Sequence, residues 1–222
     1  QHNQGFPPMS VIVAKSGVGG GAGGGSPALL LYDENPIAPS PPSAAGDDSI
    51  ALGSGAQTTP SAPKSLAIGD QSVARHPGAV VQASGRFGSA GDIQHGKYLL
   101  RTVTVTDLPT ELFFDGTGGT QRLVVPDDST WTFTITVTAH RTDVSDGRAG
   151  YKLEGVIYRV AGAATLSFQG APVKTVLGES NPAWDINIDA DTTSGSLRLR
   201  ATGESGKIIR WGALVETLEV TN

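Results

Sequence analysis

The sequence predicts an all-β chain with an extended N-terminal arm, a short β-roll-like repeat zone and a C-terminal β-sandwich of jelly-roll type. Three observations predict it. In Trp131-Thr-Phe-Thr-Ile-Thr-Val-Thr-Ala139 every odd position is apolar and every even one is Thr, the period of a half-buried strand. Ser49-Ile-Ala-Leu-Gly-Ser54 returns sixteen residues later as Ser65-Leu-Ala-Ile-Gly-Asp70, and repeats this short bury a face only by stacking or by packing around an axis. Gly and Pro make up 16 of the first 48 residues but only 28 of the other 174, so the opening segment cannot pack as an ordinary domain.

Taken in order, residues 1–48 form the arm. Gly17-Val-Gly-Gly-Gly-Ala-Gly-Gly-Gly-Ser26 is neither a collagen repeat nor a phosphate loop, because Gly does not recur every third residue and Lys15 precedes the glycines. Two apolar patches, Val11, Ile12, Val13 and Leu29, Leu30, Leu31, Tyr32, have the form of docking segments. Residues 49–96 are the repeat and junction zone, with a weaker third copy at Ala79-Val-Val81, fourteen residues after Ser65-Leu-Ala67. Residues 97–222 are the sandwich. Ten of the 13 aromatic residues lie there, and period-two stretches occupy 98–106, 131–139, 151–160, 184–190, 196–202 and 208–220. Turn signals separate them, among them Asp115-Gly-Thr-Gly-Gly119, Pro126-Asp-Asp-Ser129 and Asp146-Gly147.

The repeat residues Ser-Ile-Ala-Leu-Gly-x-Gly-Ala and Ser-Leu-Ala-Ile-Gly-Asp-x-Ser resemble the head repeats of trimeric autotransporter adhesins, a motif that recurs in bacteriophage fibre proteins. Farther on, Ser84-Gly-Arg-Phe-Gly, Gly91-Asp-Ile-Gln-His-Gly-Lys-Tyr-Leu-Leu-Arg-Thr, Thr110-Glu-Leu-Phe-Phe-Asp-Gly, Pro126-Asp-Asp-Ser-Thr-Trp-Thr-Phe and Ile209-Arg-Trp211 resemble a C-terminal domain of phage virion structural proteins. The upstream Ser26-Pro-Ala-Leu-Leu-Leu-Tyr-Asp-Glu-Asn-Pro36 is similar to a stretch that precedes it. The resemblance implies a homotrimer with Ile50, Leu52, Leu66 and Ile68 on the trimer axis. It also implies a tail fibre or spike at the virion surface, assembled in the host cytoplasm and binding a host surface glycan or protein during adsorption. The arm would dock on tail, adaptor or capsid proteins. The alternative is a capsid decoration or head-fibre protein, and the missing C-terminal anchor barrel favours phage over adhesin.

Chemistry is sparse. Net charge is −5, with 16 Lys+Arg against 21 Asp+Glu, which speaks against a nucleic-acid partner, and no apolar run is long enough for membrane insertion. With no Cys, thiolate nucleophiles, disulfides and zinc ribbons are excluded. The four His have no ligand spacing, so an ion could be held only across chains, by His76 and His95. Asn187-Ile-Asp-Ala-Asp191 has oxygen ligands at alternate positions but lacks the Gly and Glu of a calcium loop. Asp127 and Asp128 share a turn, not a cleft, and no Gly-x-Ser-x-Gly elbow occurs. The expectation is therefore no enzymatic activity, no cofactor and no metal. Receptor contacts are expected at loop tips, from Trp184, Asn181, Asp185, Arg141 and Arg148, with Trp184 as a sugar-stacking surface.

Overall fold

The computed structural model describes residues 40–144 and 146–222. Its strands are β1 (Ser43–Ala44), β2 (Ile50–Leu52), β3 (Gln57–Thr58), β4 (Leu66–Asp70), β5 (Val73–Ala74), β6 (Val80–Ser84), β7 (Ile93–Thr104) and β8 (Thr110–Glu111). They continue as β9 (Ser129–Arg141), β10 (Arg148–Arg159), β11 (Ser167–Phe168), β12 (Val173–Glu179), β13 (Asp185–Asp191), β14 (Ser196–Thr202) and β15 (Ile209–Thr221).

The repeats wind into a parallel β-solenoid of about three turns. Ile50, Leu66 and Val80 are register partners, as are Ala51, Ala67 and Val81, so the sequence offsets of sixteen and fourteen are the coil lengths. On a second wall β1, β3 and β5 pair in parallel. The turn between walls uses a left-handed residue at Asp48, Lys64 and Gly78 in successive coils. The opening Ser of the motif closes that turn: Ser49 Oγ donates to Gly46 O at 2.6 Å and Ser65 Oγ to Ala62 O at 2.7 Å. Ser65 is buried, so Ser65→Ala leaves that bond unmade and is expected to lower stability by about 1 kcal/mol, read from the urea midpoint.

The coil interior holds Ala51, Ala56, Ala62, Ala67, Ala74 and Ala79, all fully buried, which makes the coil thin. Small side chains bury little apolar area, so the solenoid draws stability from what it is joined to. Its last strand, β6, pairs antiparallel with β7 and carries the wall on into one sheet of order β11-β10-β9-β15-β7-β6-β4-β2, with β12 also on β10. At the other wall the Gln94 side chain substitutes for a further coil: Val73 N donates to Oε1 at 3.0 Å and Nε2 donates to Val73 O at 3.1 Å.

Strands β7, β9, β10 and β15 are twelve or thirteen residues long and alternate, β10 only as far as Glu154. Trp131, Phe133, Ile135 and Val137 of β9, Trp211, Ala213 and Val215 of β15, Tyr98 and Leu100 of β7, and Tyr151 and Leu153 of β10 point to one buried face. A separate three-stranded sheet, β13-β14-β8, contributes Ile186, Leu197 and Leu199 to the same core. The jelly-roll expectation is corrected here. One long sheet runs unbroken from solenoid to C-terminus, because β6 finds its partner in β7 where a jelly roll would pair strands in two separate four-stranded sheets. Strand β7 also runs through the boundary expected at residue 96.

Candidate functional site

The face of the long sheet turned away from the core is the main surface the fold presents. Strand alternation places Ile50, Leu52, Leu66 and Ile68 on it, half-buried and together, with the alanines between them turned inward. Register extends those rows across the sheet. Leu52, Ile68, Gln82, His95 and Leu218 lie in line, and Ile50, Leu66, Val80, Lys97 and Glu216 in the next. Leu99 faces Leu214, and Ile93 faces Val220. Leu99 is 66 % and Leu218 54 % exposed. Lys97 and Glu216 pair at 2.9 Å amid these apolar rows. An apolar surface of this kind, interrupted by Gln82, His95 and the Lys97–Glu216 pair, marks an interaction surface.

The residues expected at the loop tips do not converge. Trp184 is only 2 % exposed, which corrects its assignment as a stacking surface: its ring lies 6.2 Å from Trp211 and its indole N–H donates to Glu204. Asn181 Nδ2 donates to the same Glu204 carboxylate at 2.6 Å, so the two residues build a corner of the core. Arg141 grips Asp143 at 2.7 and 2.8 Å, and this pairing holds the Asp143 carboxyl down at about 2. Asp185 accepts from Lys174 at 2.6 Å. Arg148 is exposed on the outer sheet face opposite His140. The arm residues Val11, Ile12, Val13, Leu29, Leu30, Leu31 and Tyr32 lie outside the described residues.

The two histidines weighed for an axial ion are also apart in role. His76 is buried between Phe114, stacked at 5.6 Å, and Tyr98, edge-on at 5.5 Å, and its Nε2–H donates to Val124 O at 3.0 Å. His95 sits on the outer face. Across 187–191 the carboxylates are already engaged: Asp189 holds Arg198 and Arg200 at 2.8 Å each, while Asp191 takes Ser194 Oγ and Thr193 N. Among the described residues no cluster of three His, Cys, Asp or Glu could hold a metal.

One surface feature went unseen in the sequence. Loop 85–91 carries Phe87, 78 % exposed, at the rim of a depression of about 500 Å³ that includes Asp92, Asp128, Thr130 and Val220. Asp92 shapes the loop by accepting N–H bonds from Phe87 (3.0 Å), Gly88 (2.6 Å) and Ser89 (2.7 Å). Desolvation alone would raise its pKa, but those donors, with Arg86, pull it below the ordinary carboxylate value. An Asp four residues after Gly88 in the run Gly85-Arg-Phe-Gly88-Ser-Ala-Gly-Asp92 is the signal that could have located this loop cradle.

Fold and surface together define a short β-solenoid that passes into an antiparallel sheet with an apolar outer stripe. No protein family matches the chain, and no curated protein is similar to it. Among solved structures it is similar to the tailspike of Acinetobacter baumannii phage AM24, at 10 % identity and a TM-score of 0.30, over 75 % of this chain and 33 % of that one. It is also similar to tailspike gp49 of Acinetobacter baumannii bacteriophage Fri1, a capsular polysaccharide depolymerase, at 10 % identity and a TM-score of 0.30, over 86 % and 44 %. The tailspike of Acinetobacter phage vB_ApiP_P1 gives 9 % identity and a TM-score of 0.29, over 87 % and 40 %. The chain thus spans less than half the length of each tailspike. The expectation of no enzymatic activity is corrected by this comparison, because the structural neighbours include an enzyme.

Proposed function

We propose that this chain is a surface protein of a bacteriophage particle, a homotrimeric fibre or spike that contacts the host cell during adsorption. The supporting observation is the parity of the solenoid: alanines fill the coil, and the larger Ile50, Leu52, Leu66 and Ile68 face outward, with Leu52 and Ile68 in the row that reaches Leu218 across the sheet. A chain that spends its small residues inside and its large ones outside is built to be completed by its own copies. The phage and adhesin resemblance of the same repeats points to three copies, with residues 1–39 as the arm that docks on the particle; Ser43–Ala44, expected in that arm, form β1 of the solenoid. Several binding units on one trimer turn weak single contacts into firm attachment.

Sedimentation equilibrium of the full chain is expected to give a trimer. Leu66→Asp with Ile68→Asp places carboxylates in the apolar seam and is expected to weaken assembly by roughly 100-fold or more, leaving a β-rich far-UV spectrum. A monomeric native protein would end the trimer reading, and failure of purified protein to compete with phage for host cells would end the adsorption reading.

A further inference from the structure

Among the described residues Phe87 is the most exposed large apolar side chain, at 78 %, and its loop is held firmly. Besides the three N–H bonds to the Asp92 carboxylate, Gly85 N donates to Asp70 O at 3.2 Å and Gly91 N to Gln71 O at 2.7 Å. Both ends of the loop are thereby tied to the turn between β4 and β5. Thr221 N donates to Asp92 O at 2.8 Å and Asn222 N to Asp128 O at 2.9 Å, which sets the end of β15 and the turn before β9 in the same frame. A ring held out in water buries little area and so gives the fold little. On a loop already fixed it can meet a ligand without a further cost of ordering.

The depression beside this ring, about 500 Å³, falls within the roughly 300–1,000 Å³ of small-ligand sites. Val220, 42 % exposed, supplies an apolar wall, and Ser89, Asp128 and Thr130 supply polar groups. All three are exposed, and among the described residues their side chains have no hydrogen-bond or ion-pair partner. Asp128 has a left-handed backbone, φ 51°, which glycine adopts at least cost. The turn itself therefore does not require a carboxylate. Neighbouring acids are already answered: Asp127 lies 2.6 Å from Arg159, and Asp92 has its three N–H donors with Arg86 close by. Asp128 leaves a negative charge at the rim with no counter-charge among the described residues, which opposes an anionic ligand.

We infer that this depression binds a neutral oligosaccharide, with a sugar ring stacked on Phe87 and its hydroxyls bonded to Asp128, Thr130 and Ser89. An aromatic face accepts the apolar face of a pyranose, while an ionised carboxylate offers two oxygens to hydroxyl donors. Phe87 thus takes the stacking role expected of Trp184. A second copy of the chain is a poorer occupant. One row beyond Ile68 and Gln82 the solenoid presents Asp70 and Ser84, exposed register partners, so the apolar rows stop short of this end of the sheet. Charged groups are also depleted at the centre of protein interfaces. The inference deepens the host-surface reading and rests on it for its biological role.

Fluorescence anisotropy of the full chain with labelled dextran, galactan, mannan and polygalacturonate tests it. At least one of the three neutral polymers is expected to bind, and polygalacturonate is not. Phe87→Ala and Asp128→Gly should each weaken that binding by about tenfold or more. The control Leu177→Ala, at a residue 60 % exposed on β12, leaves it unchanged. Phe87→Ala should melt with the native chain, because the ring lies in water, and Asp128→Gly no lower, because glycine relieves the left-handed strain. Binding to none of the neutral polymers, tighter binding of polygalacturonate, or unaltered binding by both variants overturns the assignment. A Phe87→Ala chain that changes its sedimentation but not its polysaccharide binding gives the ring to a second copy and also overturns it. Competition with phage adsorption separates the two readings: if native protein and Phe87→Ala compete equally, the host-surface reading stands and the site falls. If native protein binds a neutral polymer through Phe87 yet does not compete, the site stands and the host-surface reading fails.

Discussion

Glu219→Ala is expected to cost the fold about 3–5 kcal/mol, lowering Tm by roughly 10 °C. Glu219 is buried on the inward face of β15, where its carboxylate accepts from Tyr98 Oη, from Thr217 Oγ1 at 2.6 Å and from Gln94 Nε2 at 2.9 Å. Alanine leaves three donors facing a void, and each buried donor without an acceptor costs about 1–3 kcal/mol, with some recovered by rotation of Thr217 toward Gly96 O. The loss travels, because the same Gln94 amide holds Val73 of the solenoid. Hydrogen exchange in Glu219→Ala should therefore quicken at β5 as well as at β7 and β15. Glu219→Gln keeps the size and one acceptor but sets an NH₂ against donors, and should cost about half as much, read from the same urea and thermal transitions.

Mild acid is the second large expectation. Burial, with help from neighbouring Arg75 and against the bond to Val124 O, lowers the His76 pKa from 6.5 to about 4. Its Nδ1 has no partner among the described residues, so a second proton would be buried without an acceptor. The ring is therefore neutral in the fold and charges readily only when unfolded. The stability this gives is complete above about pH 6.5 and is lost as pH falls from 6.5 toward 4, on the order of 3 kcal/mol across that window. His76→Leu should flatten the pH dependence of the urea midpoint between pH 6.5 and 4 while lowering the neutral-pH value. An unchanged slope in that variant would place the acid sensitivity elsewhere.

Legibility in the sequence followed the kind of information each feature needs. Periodicity located β9 and β15 closely, and the offsets of sixteen and fourteen gave the coil register residue by residue, because both are local. Pairing is not local. Nothing in Val80-Val-Gln-Ala-Ser84 says that its next neighbour is antiparallel β7, and the jelly roll was inferred without that link. Strand β12, with all seven residues exposed, carries no alternation to read. Trp184 followed a turn signal and was assigned to the surface, whereas its partner Glu204, twenty residues on, draws it inward. Glu219 could have been placed from parity alone: it continues the inward series Trp211, Ala213, Val215, Thr217, and a carboxylate there calls for donors.

The amide of Gln94 and the antiparallel turn into β7 close the solenoid behind β6. New coils cannot be added after β6 without dislodging both, whereas β2 and β1 border the other end. The molecule therefore has a direction of growth. Duplication of a fourteen- or sixteen-residue unit ahead of Ser49 would lengthen the shaft one rise at a time and leave the core and the buried Glu219 cluster untouched. The length of the solenoid can then vary independently of the C-terminal sheet.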